Sequence, residues 1–307
     1  MKEAEDCFLK VKKDYLKLLY KEKIFDKSKS YKTNSLKKVY ISISFWIEKK
    51  YKKKGKTLFL GFSGGQGSGK TTAVKILKII LKKFFKRKIY VSSIDDFYKT
   101  LKDRNRMSQN IHPLLKTRGV PGTHDISLVK KLFYFVKNKR FKIIKLPKFD
   151  KSIDDRSQKK YWFKIKEKPE IIILEGWCVG AKPQSNFLIK KPVNLLEKYE
   201  DQDLTWRYYV NTKLKTEYKK IFAMIDSYIF MKIPNFKMVF KWRLLQENKL
   251  RKKSHFKKKI MSYNEIQRFI MFYQRITLQM VKDLSKSASV VMLLNKNHKI
   301  KKVIFRS

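Results

Sequence analysis

The densest chemistry in the chain lies at Gly64, Gly65, Gln66, Gly67, Ser68, Gly69, Lys70 and Thr71. These residues fit the spacing G-x-x-x-x-G-K-[ST], between a predicted strand at 57–62 and a predicted helix at 70–86. Glycines let the backbone curl until successive N–H groups face phosphate oxygens. The helix that follows adds its partial positive charge at the same point. Lys70 then reaches the β- and γ-phosphates, and the Thr71 hydroxyl ligates Mg²⁺. Gly64 through Thr72 are therefore the predicted nucleotide-binding residues, and ATP and Mg²⁺ the predicted cofactors. A dinucleotide-binding turn fits poorly. It would need a third glycine after Gly67 and Gly69, and Thr72 stands there.

Three acidic features accompany the loop. Asp95 and Asp96 follow a predicted strand at 88–94, Glu175 follows the apolar run Ile171–Leu174, and Asp125 ends Arg118-Gly119-Val120-Pro121-Gly122-Thr123-His124-Asp125. Strands beside a phosphate loop deliver their C-terminal residues to the γ-phosphate. A carboxylate there either holds Mg²⁺ through water or takes the proton of an attacking hydroxyl. The plainer readings are a helix N-cap for the Asp pair and a structural ion pair for Glu175. A GTPase would need a carboxylate where His298 ends Asn295-Lys296-Asn297-His298, and a motor-type ATPase an acid where Gly176 follows Glu175. One carboxylate on each of two strands fits a metabolite kinase. Apart from Gly55, the ten glycines fall at the phosphate loop and its strand, at 119–122 and at 176–180. Those are the places where backbone must bend or approach a ligand.

Holding such groups together requires a parallel sheet. Strands are predicted at 57–62, 88–94, 170–174, 226–232 and 289–294. Helices are predicted at 70–86, 125–138, 208–224, 236–251 and 263–284. Runs such as IIIL and VVMLL suit strands buried on both faces. The expected class is α/β, a P-loop NTPase fold with a mostly parallel sheet flanked by helices. Residues 95–125 read as a long irregular loop, which is usually functional. Ahead of the loop, Phe8, Val11, Tyr15, Leu18 and Leu19 predict a helix over 2–24. Leu36, Val39, Tyr40, Ile43, Trp46 and Ile47 predict another over 35–52, with a basic connector at 49–56. The expected organisation is a helical N-terminal extension, 1–54, and a kinase domain, 55–307.

At this point the residues resemble the plant- and yeast-type D-glycerate 3-kinases and their bacterial relatives. The segments are GFSGGQGSGKTT (61–72), SIDDFYKT (93–100), RGVPGTHD (118–125), LPKFDKS (146–152) with DDR (154–156), and ILEGWCVGAKP (173–183). That family is similar to uridine kinase, phosphoribulokinase and bacterial pantothenate kinase. The resemblance covers about 57–251; the N-terminal 54 residues have no part in it. It implies transfer from ATP to D-glycerate, giving 3-phosphoglycerate. By similarity, Asp95, the first of the Asp95-Asp96 pair, is the general base, and Thr71 and Glu175 handle Mg²⁺. A small anionic acceptor needs fixed cations, for which Arg118, His124, Lys148 and Arg156 are candidates by motif position, with Asp125 in the same loop. Arg118 could instead pair with Asp125 and only shape the loop. Arg243 lies in the basic helix that carries a lid in related kinases, and joins Lys70, Asp95 and Asp96 as a predicted catalytic residue. A uridine- or pantothenate-type kinase is the alternative acceptor class.

The 307 residues carry 76 Lys+Arg against 26 Asp+Glu, a formal +50. A non-catalytic ATP-binding module on nucleic acid is the rival reading of that charge. Of the bases, 64 are Lys and 12 Arg, spread over nearly every block of ten. A nucleic-acid reader concentrates its charge and favours Arg. The expectation is a compositional bias with no specific nucleic-acid partner, though with non-specific adhesion to polyanions at low salt. No stretch reaches the roughly 18 apolar residues of a membrane span. The acidic start MKEAEDC is unlike a signal peptide, and Cys7 and Cys178 form no disulfide framework. A cytoplasmic protein with no membrane partner is expected.

Overall fold

Strands whose side chains are apolar on both faces need a covering layer on each side, and this chain supplies two. The computed structural model describes residues 2–24, 28–138, 142–251 and 261–306. The chain opens with α1 (Lys2–Lys21) and α2 (Lys29–Ser35), then a π-helical segment (Leu36–Ile41) that runs on as α3 (Ser42–Lys54). Next come β1 (Leu58–Gly64), α4 (Lys70–Lys83), β2 (Ile89–Ser93), α5 (Leu101–Asn110) and α6 (Ile126–Lys137). Four short strands follow: β3 (Ile144–Leu146), β4 (Phe149–Asp150), β5 (Asp155–Arg156) and β6 (Phe163–Ile165). After β7 (Ile171–Gly176) come α7 (Asn186–Lys190), α8 (Leu195–Glu200), α9 (Thr205–Lys213), α10 (Lys219–Phe222) and β8 (Ser227–Lys232). The chain closes with α11 (Lys237–Arg251), α12 (Tyr263–Ser287), β9 (Val290–Leu294) and β10 (Ile300–Phe305).

The main sheet has the order β10-β9-β8-β1-β7-β2. All its pairings are parallel except that of β10, which runs antiparallel at one edge. Alternation along each strand divides the core in two. Phe59, Ile172, Leu174, Phe230 and Val291 face a cluster completed by α6, α9, α10 and α12. Leu58, Leu60, Phe62, Ile171, Ile173, Ile229 and Met231 face the other, completed by α1, α3, α4 and α11. The five predicted strands are therefore present and both faces are covered, as the apolar runs require.

The N-terminal helices are part of this second layer. Cys7, Phe8, Val11, Leu36, Ile43 and Ile47 are buried in one cluster with Ile76, Leu77 and Ile80 of α4. The basic stretch expected as a connector at 49–56 is helical through Lys54. It ends at Gly55 in a left-handed cap (φ 66°) whose N–H returns to the Tyr51 carbonyl. Lys54 pairs with Asp226, and Asp226 also accepts the N–H of Phe59 at 2.7 Å. Glu48 of α3 receives two nitrogens of Arg87, whose third reaches Glu170 at 3.0 Å. Helix α3 is thus fastened to the end of the sheet opposite the phosphate loop.

Residues 95–125, expected as irregular, contain α5 and a short 3-10 turn (Pro113–Lys116). Helix α5 escapes a periodicity reading because its buried side chain is charged: Arg104 is fully buried in an otherwise polar sequence. The helix predicted over 208–224 starts earlier, at Thr205, and is π-helical over Leu214–Tyr218.

Candidate active site

The phosphate loop joins the C-terminal end of β1 to the first turn of α4, at the centre of the sheet. Gly67 and Gly69 adopt left-handed backbone (φ 72° and 93°). At Gly67 a Cβ would sit 2.9 Å from the Cβ of Trp242, so α11 packs directly on the loop. At Gly69 nothing lies within 4 Å of that position, so the cradle is open on this side. Two buried polar atoms of the loop, Gln66 Oε1 and Ser68 Oγ, have no protein partner. Buried polar groups in native proteins are nearly always paired. An open cradle edged by orphaned polar atoms fits a ligand with phosphate oxygens.

Lys70 folds back and donates to the Gly65 carbonyl at 2.9 Å. Burial lowers its pKa, and Glu175 and Asp95 oppose that. Glu175 is the penultimate residue of β7, the strand hydrogen-bonded between β1 and β2. Burial pushes its carboxyl up, against Lys70 and Thr71. Thr71 Oγ1 donates to both Glu175 oxygens, at 3.0 and 3.3 Å. One hydroxyl and one carboxylate, both oxygen donors beside the cradle, suit Mg²⁺. The two residues singled out for the metal are therefore together.

The Asp pair sits where β2 ends. Ser93 Oγ accepts the Asp95 N–H at 3.3 Å and starts a 3-10 turn (Ile94–Phe97) that separates the two carboxylates. Asp95 Oδ1 accepts from the Tyr98 hydroxyl at 3.0 Å, and Oδ2 from Lys151 at 2.9 Å. Burial alone would raise its pKa, but its neighbours, Lys151 above all and the Tyr98 hydroxyl with it, hold the group below its ordinary value. Asp96 points to the β4 ribbon, accepting the Phe149 N–H at 3.3 Å. Burial, with the neighbouring Asp95, pushes it up to about 6. Both are ionised at neutral pH, but Asp95 is the one held charged by its surroundings.

Of the groups expected to receive an acceptor, Arg118 and His124 lie close enough to act on Asp95. Arg118 pairs with Asp154, not with Asp125 as the plainer reading had it. Its guanidinium lies 5.4 Å from the centre of the Phe149 ring. Asp125 caps α6 and faces Arg156 at 3.4 Å, while Arg156 also donates to the Tyr98 carbonyl at 2.9 Å. Asp125 and Arg156 therefore hold the wall of the site together. Lys148 is exposed, and its carbonyl accepts from Ser157 at 2.8 Å. His124 was expected as a fixed cation, and this is corrected. It is fully buried, and burial pushes its pKa down to about 4, so it is neutral at neutral pH. Its ring stacks on Tyr98 with centroids 4.5 Å apart.

Arg243 leaves α11 beside Gly67. Its guanidinium pairs with Glu247 at 2.5 Å and lies 5.2 Å from the Phe269 ring centre, and its buried Nε has no partner. The turn 295–298, rejected as a guanine reader, still reaches the site. His298 Nε2 contacts the Gly67 carbonyl at 2.7 Å, and its ring stacks on Trp242 at 3.9 Å. Sequence reasoning also gave no role to Tyr98 or Tyr218. For Tyr98 a signal was present: three residues after Asp95, a tyrosine on a 3-10 turn returns beside the carboxylate.

No protein-family model matches the chain. It is 32% identical over 249 residues to the Schizosaccharomyces pombe protein named Uncharacterized kinase mug58, covering 78% of this chain and 87% of that protein. It is also 32% identical over 202 residues to the chloroplastic D-glycerate 3-kinase of Arabidopsis thaliana, covering 63% of this chain and 42% of that one. The chain belongs to this family of phosphate-loop kinases. It is an ATP-dependent phosphotransferase. The fold matches the solved D-glycerate 3-kinase from Cryptococcus neoformans var. grubii serotype A with a TM-score of 0.72, at 22% identity, over 87% of this chain and 99% of that one. Among the described residues, no helix of this kinase is long and apolar enough to cross a membrane.

Proposed function

We propose that this kinase transfers the γ-phosphoryl group of ATP to the 3-hydroxyl of D-glycerate. The observation that carries the reading is Asp95. It is a carboxylate held ionised, with one oxygen fixed by Tyr98 and the other on a Lys151 that is 62% exposed and free to yield to an acceptor. In this reading Asp95 takes the proton of the acceptor hydroxyl as the oxygen–phosphorus bond forms. Lys70 and the loop N–H groups hold the phosphate oxygens, and Arg243 reaches them from α11. Thr71 and Glu175 would hold Mg²⁺, which when bound neutralises charge on the β- and γ-phosphates.

Glycerate suits the rest of the site. Its carboxylate needs a cation, and Arg118 and Lys151 both interact electrostatically with Asp95. Arg118 commits NH1 to Asp154, which leaves its other nitrogens for a carboxylate. Arg156 and Asp125 frame the same wall, and His124 contributes as a neutral group. The names of the Arabidopsis and Cryptococcus proteins support this choice of acceptor. A cytoplasmic location remains part of the proposal.

The test is ADP release with D-glycerate, L-glycerate, uridine and pantothenate at equal concentrations. Turnover with D-glycerate at least about tenfold above the other three is expected. Preference for uridine or pantothenate would overturn the acceptor and leave the kinase reading intact.

A further inference from the structure

A buried imidazole nitrogen without a partner has to be explained, and His124 has one. Its Nε2 is buried and unpartnered, while its Nδ1 lies 2.6 Å from the Tyr218 hydroxyl. Which nitrogen bears the proton follows from Tyr218. That hydroxyl accepts the Gly122 N–H at 2.9 Å. It is fully buried, and burial holds its pKa well above the ordinary value, so it keeps its proton. Among the described residues, His124 Nδ1 is the one acceptor hydrogen-bonded to it. The phenol therefore donates to Nδ1, and the neutral ring must carry its own proton on Nε2.

That leaves Nε2–H as a buried donor with nothing to donate to. Its surroundings locate it in the acceptor site: the ring stacks on Tyr98, whose hydroxyl binds Asp95. The charged groups that act on His124 are Asp95 and, more weakly, Lys99, and the titratable hydroxyls packed against its ring are those of Tyr98 and Tyr218. We propose that Tyr218 is a positioning residue that fixes His124 as the Nε2–H tautomer, and that this neutral donor binds a non-reacting oxygen of the acceptor. A neutral N–H distinguishes an oxygen from a methyl group without adding another charge beside Asp95, and a site built to donate one hydrogen bond rejects analogues lacking the acceptor atom. The proposal rests on the kinase site described above, but on no particular acceptor.

The experiment uses the full chain with ¹⁵N-labelled histidine. It reads the imidazole nitrogens by NMR at pH 7 and assigns the His124 signal, among four histidines, by its loss in His124→Gln. The expected result is a proton on Nε2 and none on Nδ1. A proton on Nδ1 in the wild-type protein would overturn the proposal, whatever the variants do. Tyr218→Phe removes the phenol and should give a mixture of tautomers. Its KM for the acceptor should rise about tenfold with little change in KM for ATP. An unchanged acceptor KM, or equal rises in both constants, would reduce Tyr218 to a packing residue. Failure of D-glycerate as substrate would leave the tautomer result standing, because KM is measured with whichever acceptor is turned over.

Discussion

Two adjacent carboxylates in one motif are driven in opposite directions by their neighbours. Lys151 and Tyr98 hold Asp95 down, whereas burial raises Asp96 to about 6. Folded Asp96 therefore binds a proton more tightly than the unfolded chain does, whose carboxyl titrates near 3.8. Stability is penalised as pH rises from about 3.8 through about 6, and the full penalty persists above that. Asp96→Asn keeps an acceptor for the Phe149 N–H and removes the penalty. In nucleotide-free protein it should be more stable than wild type at pH 7.5, by on the order of 1–2 kcal/mol after solvent screening. The gain should vanish near pH 4; a constant difference across that range would contradict the assignment. Asp95→Asn should instead lose kcat by about 10²-fold or more and keep ATP binding. Arg118→Lys keeps charge and loses the planar fork, so KM for the acceptor should rise several-fold while KM for ATP stays. Equal rises with a lower Tm would make Arg118 structural. The loop, Glu175 and the Asp pair were legible because backbone geometry and metal chemistry permit few residue types there. His124's neutrality and the Arg118–Asp154 pair were not, since both depend on burial and on a hairpin distant in sequence.

Among the elements, the N-terminal helices have the most to test. The sequence offers no chemistry before residue 55, and a helical N-terminal extension is the reading it supports. Packing joins the segment to the kinase fold, through α1 and α3 against α4, the helix that carries Lys70 and Thr71. Leu36 is completely buried there, so Leu36→Ala should cost about 2–5 kcal/mol. Because α4 is held from its other end by the loop, kcat at 20 °C should stay near wild type. A fall in kcat without a fall in stability would show that these helices shape the site. Strand identity was readable because runs such as Ile171–Leu174 have few alternatives. Helix α5 was not, because its one buried side chain, Arg104, is held by the Lys116 carbonyl at 2.8 Å and by Asp154 at 3.1 Å, contacts that periodicity does not encode. Strand β10, with burial broken along its length, reads as surface loop without its partner β9.

The whole molecule carries +50 while its site must admit ATP and, in the proposed reaction, a small anion. A positive field speeds the encounter of both, and it also attracts any polyanion. Retention on heparin, double-stranded DNA and single-stranded DNA should fall steeply and in parallel as salt rises from 50 to about 300 mM. Sequence-selective retention at high salt would point to a dedicated nucleic-acid surface. The proposed reaction makes a single new bond, between phosphorus and the 3-oxygen of D-glycerate, and ³¹P–¹H correlation NMR of the reaction mixture observes that bond directly. A new phosphorus signal coupled to the two protons on carbon 3, growing in step with ADP, is the predicted result. Coupling to the single proton on carbon 2, or ADP appearing with inorganic phosphate alone, would contradict it.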